Sequence, residues 1–258
     1  MAKSIFVTGG ASGLGLATCR HFHEMGWLVG LADVDRAGLD RAVAELGAER
    51  AKAFDLDVRS RPAWEAALAS FAKDAGGHID VLVNCAGAFR RIPFPDLKPG
   101  DFDLEIDVNL RGVLHGCHAV LPYMGSGKGG TIINIASNAG LYGVNLMVVY
   151  SATKGAVRAL TESLDFDLAP LGIRAACIFP GVTDTPGVDK LTDPEWGSLR
   201  ESVKARGVKM GKAEDLARLV AKVLETDDLH YGFAGHEESV VTVLREVRAQ
   251  RRALLAKA

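Results

Sequence analysis

Tyr150 and Lys154 stand four residues apart in Tyr150-Ser151-Ala152-Thr153-Lys154, inside a stretch with helical spacing. Four residues make about one turn, so both side chains can face the same way. An isolated phenol titrates near ~10, too high to serve as a base at neutral pH. A neighbouring ammonium favours the phenolate, and lysine brings that charge together with three hydrogen-bond donors. Ser137 closes the apolar run just before this segment, so strand and helix in one layer carry its hydroxyl to the same place. A tyrosine, a cation and a hydroxyl at one point suit proton exchange with an alcohol oxygen. Taken alone, the Tyr/Lys pair is better read as a half-buried tyrosine beside a solvated lysine.

A second constellation decides between those readings. The run Thr8-Gly9-Gly10-Ala11-Ser12-Gly13-Leu14-Gly15 joins an apolar strand to a helix. Glycines let the backbone turn tightly and admit a pyrophosphate, and the helix start offers free N–H groups and a positive dipole end. An ordinary Gly-rich turn is the plainer reading, since the spacing differs from GxGxxG. The next strand ends at Leu31-Ala32-Asp33, and Asp33 lies 18 residues beyond Gly15, about where a ribose-binding acid belongs. A carboxylate there accepts from ribose hydroxyls and repels a 2′-phosphate, which predicts NAD rather than NADP. Neither Ser12 nor Val34 is a cation, and Arg36 reads as an exposed residue opening the next helix. Asp57 is a candidate acceptor for the adenine amino group, or else a neighbour caps the next helix. The positive charge of an oxidised nicotinamide would further favour the Tyr150 phenolate.

The elements that must position these groups follow from hydrophobic periodicity. Apolar runs at Ser4–Thr8, Trp27–Ala32, Ala51–Phe54, Ile79–Val83, Thr131–Ala136 and Ile173–Phe179 alternate with helical segments. The latter are Leu14–Met25, Arg36–Leu46, Pro62–Ala75, Phe102–Met124, Met147–Ala169 and Glu214–Leu224. Continuous rather than alternating apolar strands are buried on both faces, the pattern of a parallel sheet between helix layers. Right-handed crossovers then give a single doubly wound α/β domain over residues 1–258. Leu229–Phe233 is a candidate seventh strand. The irregular stretch 182–212, rich in Asp, Pro, Gly and Thr, reads as a substrate lid or a partly disordered insertion. Val240, Val241, Leu244 and Val247 mark one apolar face of a helix expected over 237–255.

Composition narrows the partners. Thirty Lys+Arg against 32 Asp+Glu give a net charge of −2, no invitation to nucleic acid or an acidic membrane. Basic residues near the C-terminus read as a solvated helix face. Cys19, Cys85, Cys117 and Cys177 lack metal-ligand spacing, so no metal is expected and the thiols read as small reduced core residues. No apolar run spans a bilayer, and no signal peptide precedes the strand at Ser4, which makes the cytoplasm the expected location.

The chain resembles the short-chain dehydrogenase/reductase family over roughly residues 4–225. The Thr-Gly-x-x-x-Gly-x-Gly loop is complete at Thr8–Gly15, and the segment after strand four appears as Asn84-Cys85-Ala86-Gly87. Asn109 stands in Asp107-Val108-Asn109-Leu110-Arg111-Gly112, and Ser137, Tyr150 and Lys154 keep the family spacing. Pro180-Gly181 follows strand six, with Thr183 and Thr185 beyond it. The resemblance implies a Rossmann-type fold and a nicotinamide cofactor. It implies catalytic roles for Asn109, Ser137, Tyr150 and Lys154, with Asn109 anchoring a proton-relaying water chain. It implies cofactor contacts at Gly9, Ser12, Gly13, Leu14, Gly15, Asp33, Asp57, Val58, Asn84, Ala86, Gly87, Tyr150, Lys154, Pro180, Gly181, Thr183 and Thr185. A homodimer or homotetramer is the implied assembly, with the 237–255 stripe either an interface or packed over its own pocket. Two departures stand out: Cys85 replaces the second Asn, and His230–His236 stands where the family has Asp-Gly-Gly.

Leu141, Tyr142, Val144, Phe89, Val188, Leu191 and Trp196 are expected to wall a mostly apolar pocket for an uncharged, lipophilic secondary alcohol or its ketone. Arg90 and Arg91 read as solvated loop residues. The rivals are an NADPH-dependent ketone reductase on the same fold and a catalytically idle nucleotide sensor. An epimerase or dehydratase of the longer-chain type needs a larger substrate domain than follows residue 180.

Overall fold

The computed structural model describes residues 2–125, 127, 129–189, 192–193, 197–205, 207 and 209–232. The apolar runs form a seven-stranded sheet, entirely parallel, in the order β3-β2-β1-β4-β5-β6-β9. Its strands are β1 (Ser4–Thr8), β2 (Leu28–Asp33), β3 (Ala51–Asp55), β4 (Val81–Asn84), β5 (Gly130–Ile135), β6 (Ile173–Phe179) and β9 (His230–Gly232). This is the doubly wound, Rossmann-type arrangement. The chain winds outward from β1 to β3, then returns to place β4 on the other side of β1. That reversal opens a crevice at the carboxyl ends of the strands, where such sheets hold ligands.

β1, β2 and β4 are buried almost throughout because both faces are covered. Over one face lie α1 (Gly13–Glu24), α2 (Arg36–Leu46) and α10 (Ala213–Val223). Phe22, Leu39, Leu216 and Val220 close a core there with Ile5, Val7 and Leu31. Over the other lie α3 (Arg61–Asp74), α5 (Gly112–Ala119) and α7 (Val148–Leu168), where Trp64, Phe71, Val113 and Val157 pack against Phe6, Leu82 and Ile132. α1 packs directly on α10, so the two ends of the chain's winding meet across that face.

The helix read as one piece over Phe102–Met124 is interrupted. It runs as α4 (Pro99–Ile106), a π turn at Asp107–Arg111, α5, and α6 (Leu121–Met124). Pro122 has no N–H to continue the ladder from α5 into α6. The π turn holds Asn109, and such turns favour functional positions. The irregular stretch after β6 contains short ordered pieces: α8 (Pro186–Asp189), a hairpin of β7 (Thr192–Asp193) with β8 (Gly197–Ser198), and α9 (Leu199–Ala205). A parallel bridge from Thr183 to Gly211 closes its base. Leu191, Trp196, Phe233 and the helix expected over 237–255 lie outside the described residues. No described helix is long and apolar enough to cross a membrane.

Candidate active site

The Gly-rich loop leaves β1 at the crevice. Gly9 has φ +71, and a side chain there would press on the Ala86 backbone at 3.2 Å. At Gly15 a Cβ would lie 2.2 Å from the Gly9 carbonyl oxygen, so α1 can start this close to the loop only with glycine. The Ser12 side chain makes no capping bond, which leaves the first-turn N–H groups of α1 facing outward. Leu14 packs partly into the core below, and Gly13 faces Thr185 across the crevice. A tight turn, a close backbone approach and an uncapped helix start fit a bound pyrophosphate.

Asp33 ends β2 beside this loop. Its Oδ2 accepts from the Ala11 N–H at 3.2 Å and its Oδ1 from the Asp35 N–H at 3.0 Å. Arg36, the nearest cation in sequence, is taken up by Asp40 (2.8 Å) and Asp55 (3.5 Å). Asp57 grips Arg59 at 2.6 Å, which holds its carboxyl below the usual range, while Ser60 caps α3 through the Ala63 N–H. Of the two readings of this turn, a neighbour does supply the helix cap. Val58 is buried against Gly112 and accepts from the Trp64 indole at 3.0 Å.

The segment after β4 is pinned from three directions. The Thr8 hydroxyl accepts from the N–H groups of Cys85 and Ala86, both at 3.0 Å. Asn84 donates to Asn134 at 2.8 Å, and Asn134 donates to Thr161 on α7 at 3.0 Å. Asn109, fully buried, pairs with both backbone groups of Ala88: its Oδ1 accepts at 2.8 Å and its Nδ2 donates at 2.7 Å. The same Nδ2 reaches Thr153 at 3.2 Å. The Asn109 amide thus ties the 84–89 loop to the π turn and to α7. Thr8, Thr153 and Asn134 were not singled out from sequence; only Thr8, adjacent to Gly9 in the loop motif, carried a signal there. The thiols are all free, and Cys85 is partly exposed rather than in the core.

Ser137, Tyr150 and Lys154 converge at the carboxyl end of β5. Ser137 caps the 3-10 turn Asn138–Gly140, its oxygen accepting from the Ala139 N–H at 3.1 Å, and its hydroxyl favours the ionised form of Tyr150. That turn sits tightly on α7, since a Cβ at Gly140 would meet the Lys154 carbonyl at 2.6 Å. The Lys154 ammonium donates to the Ile135 carbonyl at 2.8 Å and stands 5.6 Å from the centre of the Tyr150 ring. Gly87 lies close to both Lys154 and Asn109. Pro180 accepts from the Asn138 N–H at 3.0 Å, and Thr183 donates to Gly181 at 3.1 Å, so the segment after β6 closes over the same end.

Burial pushes the Tyr150 phenol up to about 12, against the opposing pull of the Ser137 hydroxyl. Burial also lowers Lys154 to about 8, because the buried ammonium loses its hydration. The four-residue spacing shows the ammonium but not the burial that opposes the phenolate. Desolvation outweighs one ammonium that is itself engaged by a carbonyl.

Around Tyr150 the surroundings are apolar on one side. The Phe89 ring lies 5.6 Å from that of Tyr150, and Val188 is buried nearby in sequence to Gly187, whose Cα faces Phe89. Arg90 pairs with Asp101 at 3.4 Å, and Arg91 donates to the Gly197 carbonyl at 3.0 Å. Both arginines are therefore engaged within the protein rather than simply solvated.

Residues 3–196 match the sequence profile of the short chain dehydrogenase family. The chain belongs to that family. A cyclopentanol dehydrogenase of Comamonas testosteroni is 35% identical over 193 residues, which is 74% of this chain and 77% of that protein. An uncharacterized oxidoreductase of Staphylococcus aureus is 33% identical over 200 residues, covering 75% and 86%. Among solved structures, a 3-ketoacyl-(acyl-carrier-protein) reductase from Brucella melitensis complexed with NADH superposes with TM-score 0.81 at 25% identity. It covers 91% of this chain and 97% of its own. A short-chain dehydrogenase from Streptomyces avermitilis reaches the same score at 27% identity, over 97% and 94%. Membership makes the chain an oxidoreductase that uses a nicotinamide cofactor.

Proposed function

We propose that the protein is an NAD(H)-dependent dehydrogenase for uncharged secondary alcohols, a cytoplasmic homodimer or homotetramer that also runs the reverse ketone reduction. Asp33 carries the choice of cofactor. Each of its carboxylate oxygens is held by a single backbone N–H, which leaves lone pairs to accept from ribose hydroxyls. Arg36 is committed to two carboxylates and does not offer itself to a 2′-phosphate. The loop Gly9–Gly15 and the start of α1 would hold the pyrophosphate, and Thr183 and Thr185 would meet the nicotinamide end.

When bound, the dinucleotide supplies the hydride carrier and, in its oxidised form, a positive charge near Tyr150. The remaining work falls to the chain. Ser137 holds the substrate oxygen, a fixed dipole placed where charge develops. Tyr150 takes the hydroxyl proton in oxidation and returns it in reduction. Lys154 grips the nicotinamide ribose and adds its charge to the site. Asn109 fixes the loop that walls the site, its amide being committed to Ala88. The relatives' names support an alcohol or ketone substrate, and the apolar ring of Phe89 beside Tyr150 supports an uncharged one. The stretch 182–212 is proposed as the cover of this pocket.

Two outcomes follow. Asp33→Ala should lower NAD+ affinity at least about tenfold, the worth of a charged hydrogen bond, and raise the relative affinity for NADP+. Calorimetric titration with both dinucleotides reads this; an unchanged preference would remove Asp33 from the cofactor choice. Because Tyr150 works as phenolate in oxidation and as phenol in reduction, kcat/KM for oxidation should rise with pH through the neutral range. Reduction should stay flat and fall only above the working pKa. Parallel profiles in the two directions would contradict a single acid/base at Tyr150.

A further inference from the structure

Glu105 is a carboxylate that the scheme above does not use, and only 2% of its surface is exposed. It sits on α4, one turn before the π turn. Its carboxylate accepts from the backbone N–H of Arg90 and faces the backbone N–H of Tyr150, which favours its charged form. That second neighbour belongs to the start of the catalytic helix. α7 begins at Val148 behind Met147, which provides no side-chain cap, and its first turn contains no acidic residue. The first intrahelical bond runs from the Ser151 N–H to the Met147 carbonyl at 2.8 Å, so the Tyr150 N–H is among the groups a helix start leaves open. The chain enters that turn through Leu146 at φ +65, an uncommon conformation for a branched residue. A carboxylate from another helix stands at that opening turn and complements the positive end of the dipole.

The bond from Arg90 reaches the opposite wall of the pocket. Arg90 follows Phe89, whose ring packs at 5.6 Å against that of Tyr150, and the Ile92 N–H binds the Leu146 carbonyl at 3.0 Å. One buried carboxylate at the start of the catalytic helix therefore holds the loop that packs on the tyrosine ring.

We propose that Glu105 is the positioning residue for Tyr150: from its place against the start of the catalytic helix it fixes the Phe89 loop on the Tyr150 ring and presents its charge to the tyrosine. The inference rests on Tyr150 being the acid/base. The titratable and charged groups facing this pair are Arg90 from the loop, Asp101 on α4 and Cys85 at the end of β4. Ser137 and Lys154 complete the set. Arg90 partly neutralises Glu105, while burial and Asp101 raise its proton affinity. Glu105 in turn raises that of Tyr150. In the alkaline range where Tyr150 titrates, Glu105 is ionised and its charge is felt.

Glu105→Gln keeps the shape and an acceptor but removes the charge. The tyrosinate absorbance of Tyr150, isolated by subtracting the same titration of the matching Tyr150→Phe protein, is followed in saturating NAD+. The midpoint should fall by about one unit in Glu105→Gln. An unchanged or raised midpoint would overturn the electrostatic part. Glu105→Leu removes the anchor of the Phe89 loop and the charge beside the helix start; kcat should fall roughly tenfold while NAD+ affinity holds, since the Gly-rich loop is untouched. Wild-type kcat would overturn the positioning part, and if Glu105→Leu fails to fold, Glu105→Gln still decides. The spectroscopic readout needs no turnover. If Tyr150→Phe proved active, the role of Tyr150 would fall while the effect of Glu105 on its titration would stand or fail separately.

Discussion

Tyr150→Phe should lower turnover roughly a thousandfold or more while dinucleotide affinity stays within about twofold, the signature of a lost proton-transfer group. The substitution removes one oxygen and keeps the ring that packs against Phe89 at 5.6 Å. Ser137 retains its bond from the Ala139 N–H, and Lys154 retains Ile135. Nothing in the Gly-rich loop changes, so binding and chemistry separate. Steady-state kinetics beside calorimetry with NADH reads both quantities. Full turnover would move the acid/base role elsewhere, and loss of binding alone would make Tyr150 a cofactor contact.

Gly15→Ala should destroy cofactor binding and destabilise the fold. The added Cβ would lie 2.2 Å from the Gly9 oxygen, and the neighbour is backbone that cannot rotate away. Either α1 moves off the loop or the loop opens, and both outcomes break the turn that receives the pyrophosphate. Overpacking of this kind costs about 3 kcal/mol. Denaturant unfolding measures the stability loss, and fluorescence titration with NADH measures the binding. A variant with native stability and native affinity would show that the loop does not need its observed closeness to α1.

The sequence announced the architecture because parallel strands covered on both faces must be continuous apolar runs. β1, α2 and β6 begin and end where the runs Ser4–Thr8, Arg36–Leu46 and Ile173–Phe179 predicted. The Gly-rich loop, Asp33, Ser137, Tyr150 and Lys154 were legible because their chemistry needs those residue types at fixed spacing. The rest depends on tertiary partners. Glu105 reads in sequence as an ordinary polar residue of an amphipathic helix; only the packing of α4 on α7 buries it and turns it to the Arg90 backbone. The π turn at Asn109 escapes a periodicity reading, because the helical pieces on either side of it are only about two turns long and fix no phase from which a slip could be seen. The proton affinity of Tyr150 is only half legible, because spacing reveals a neighbouring charge but not the desolvation that opposes it. Likewise the arginines at 90 and 91 looked solvated until Asp101 and the Gly197 carbonyl were seen across from them.

The most direct test of the central claim is reduction of NAD+ and of NADP+ by the purified protein with cyclopentanol and a panel of other secondary alcohols. The near-ultraviolet absorbance of reduced nicotinamide reports the reaction. NADH should form with at least one alcohol, and NADPH should form from NADP+ about tenfold or more slowly. No reduction with either dinucleotide, together with no dinucleotide binding by calorimetry, would contradict it.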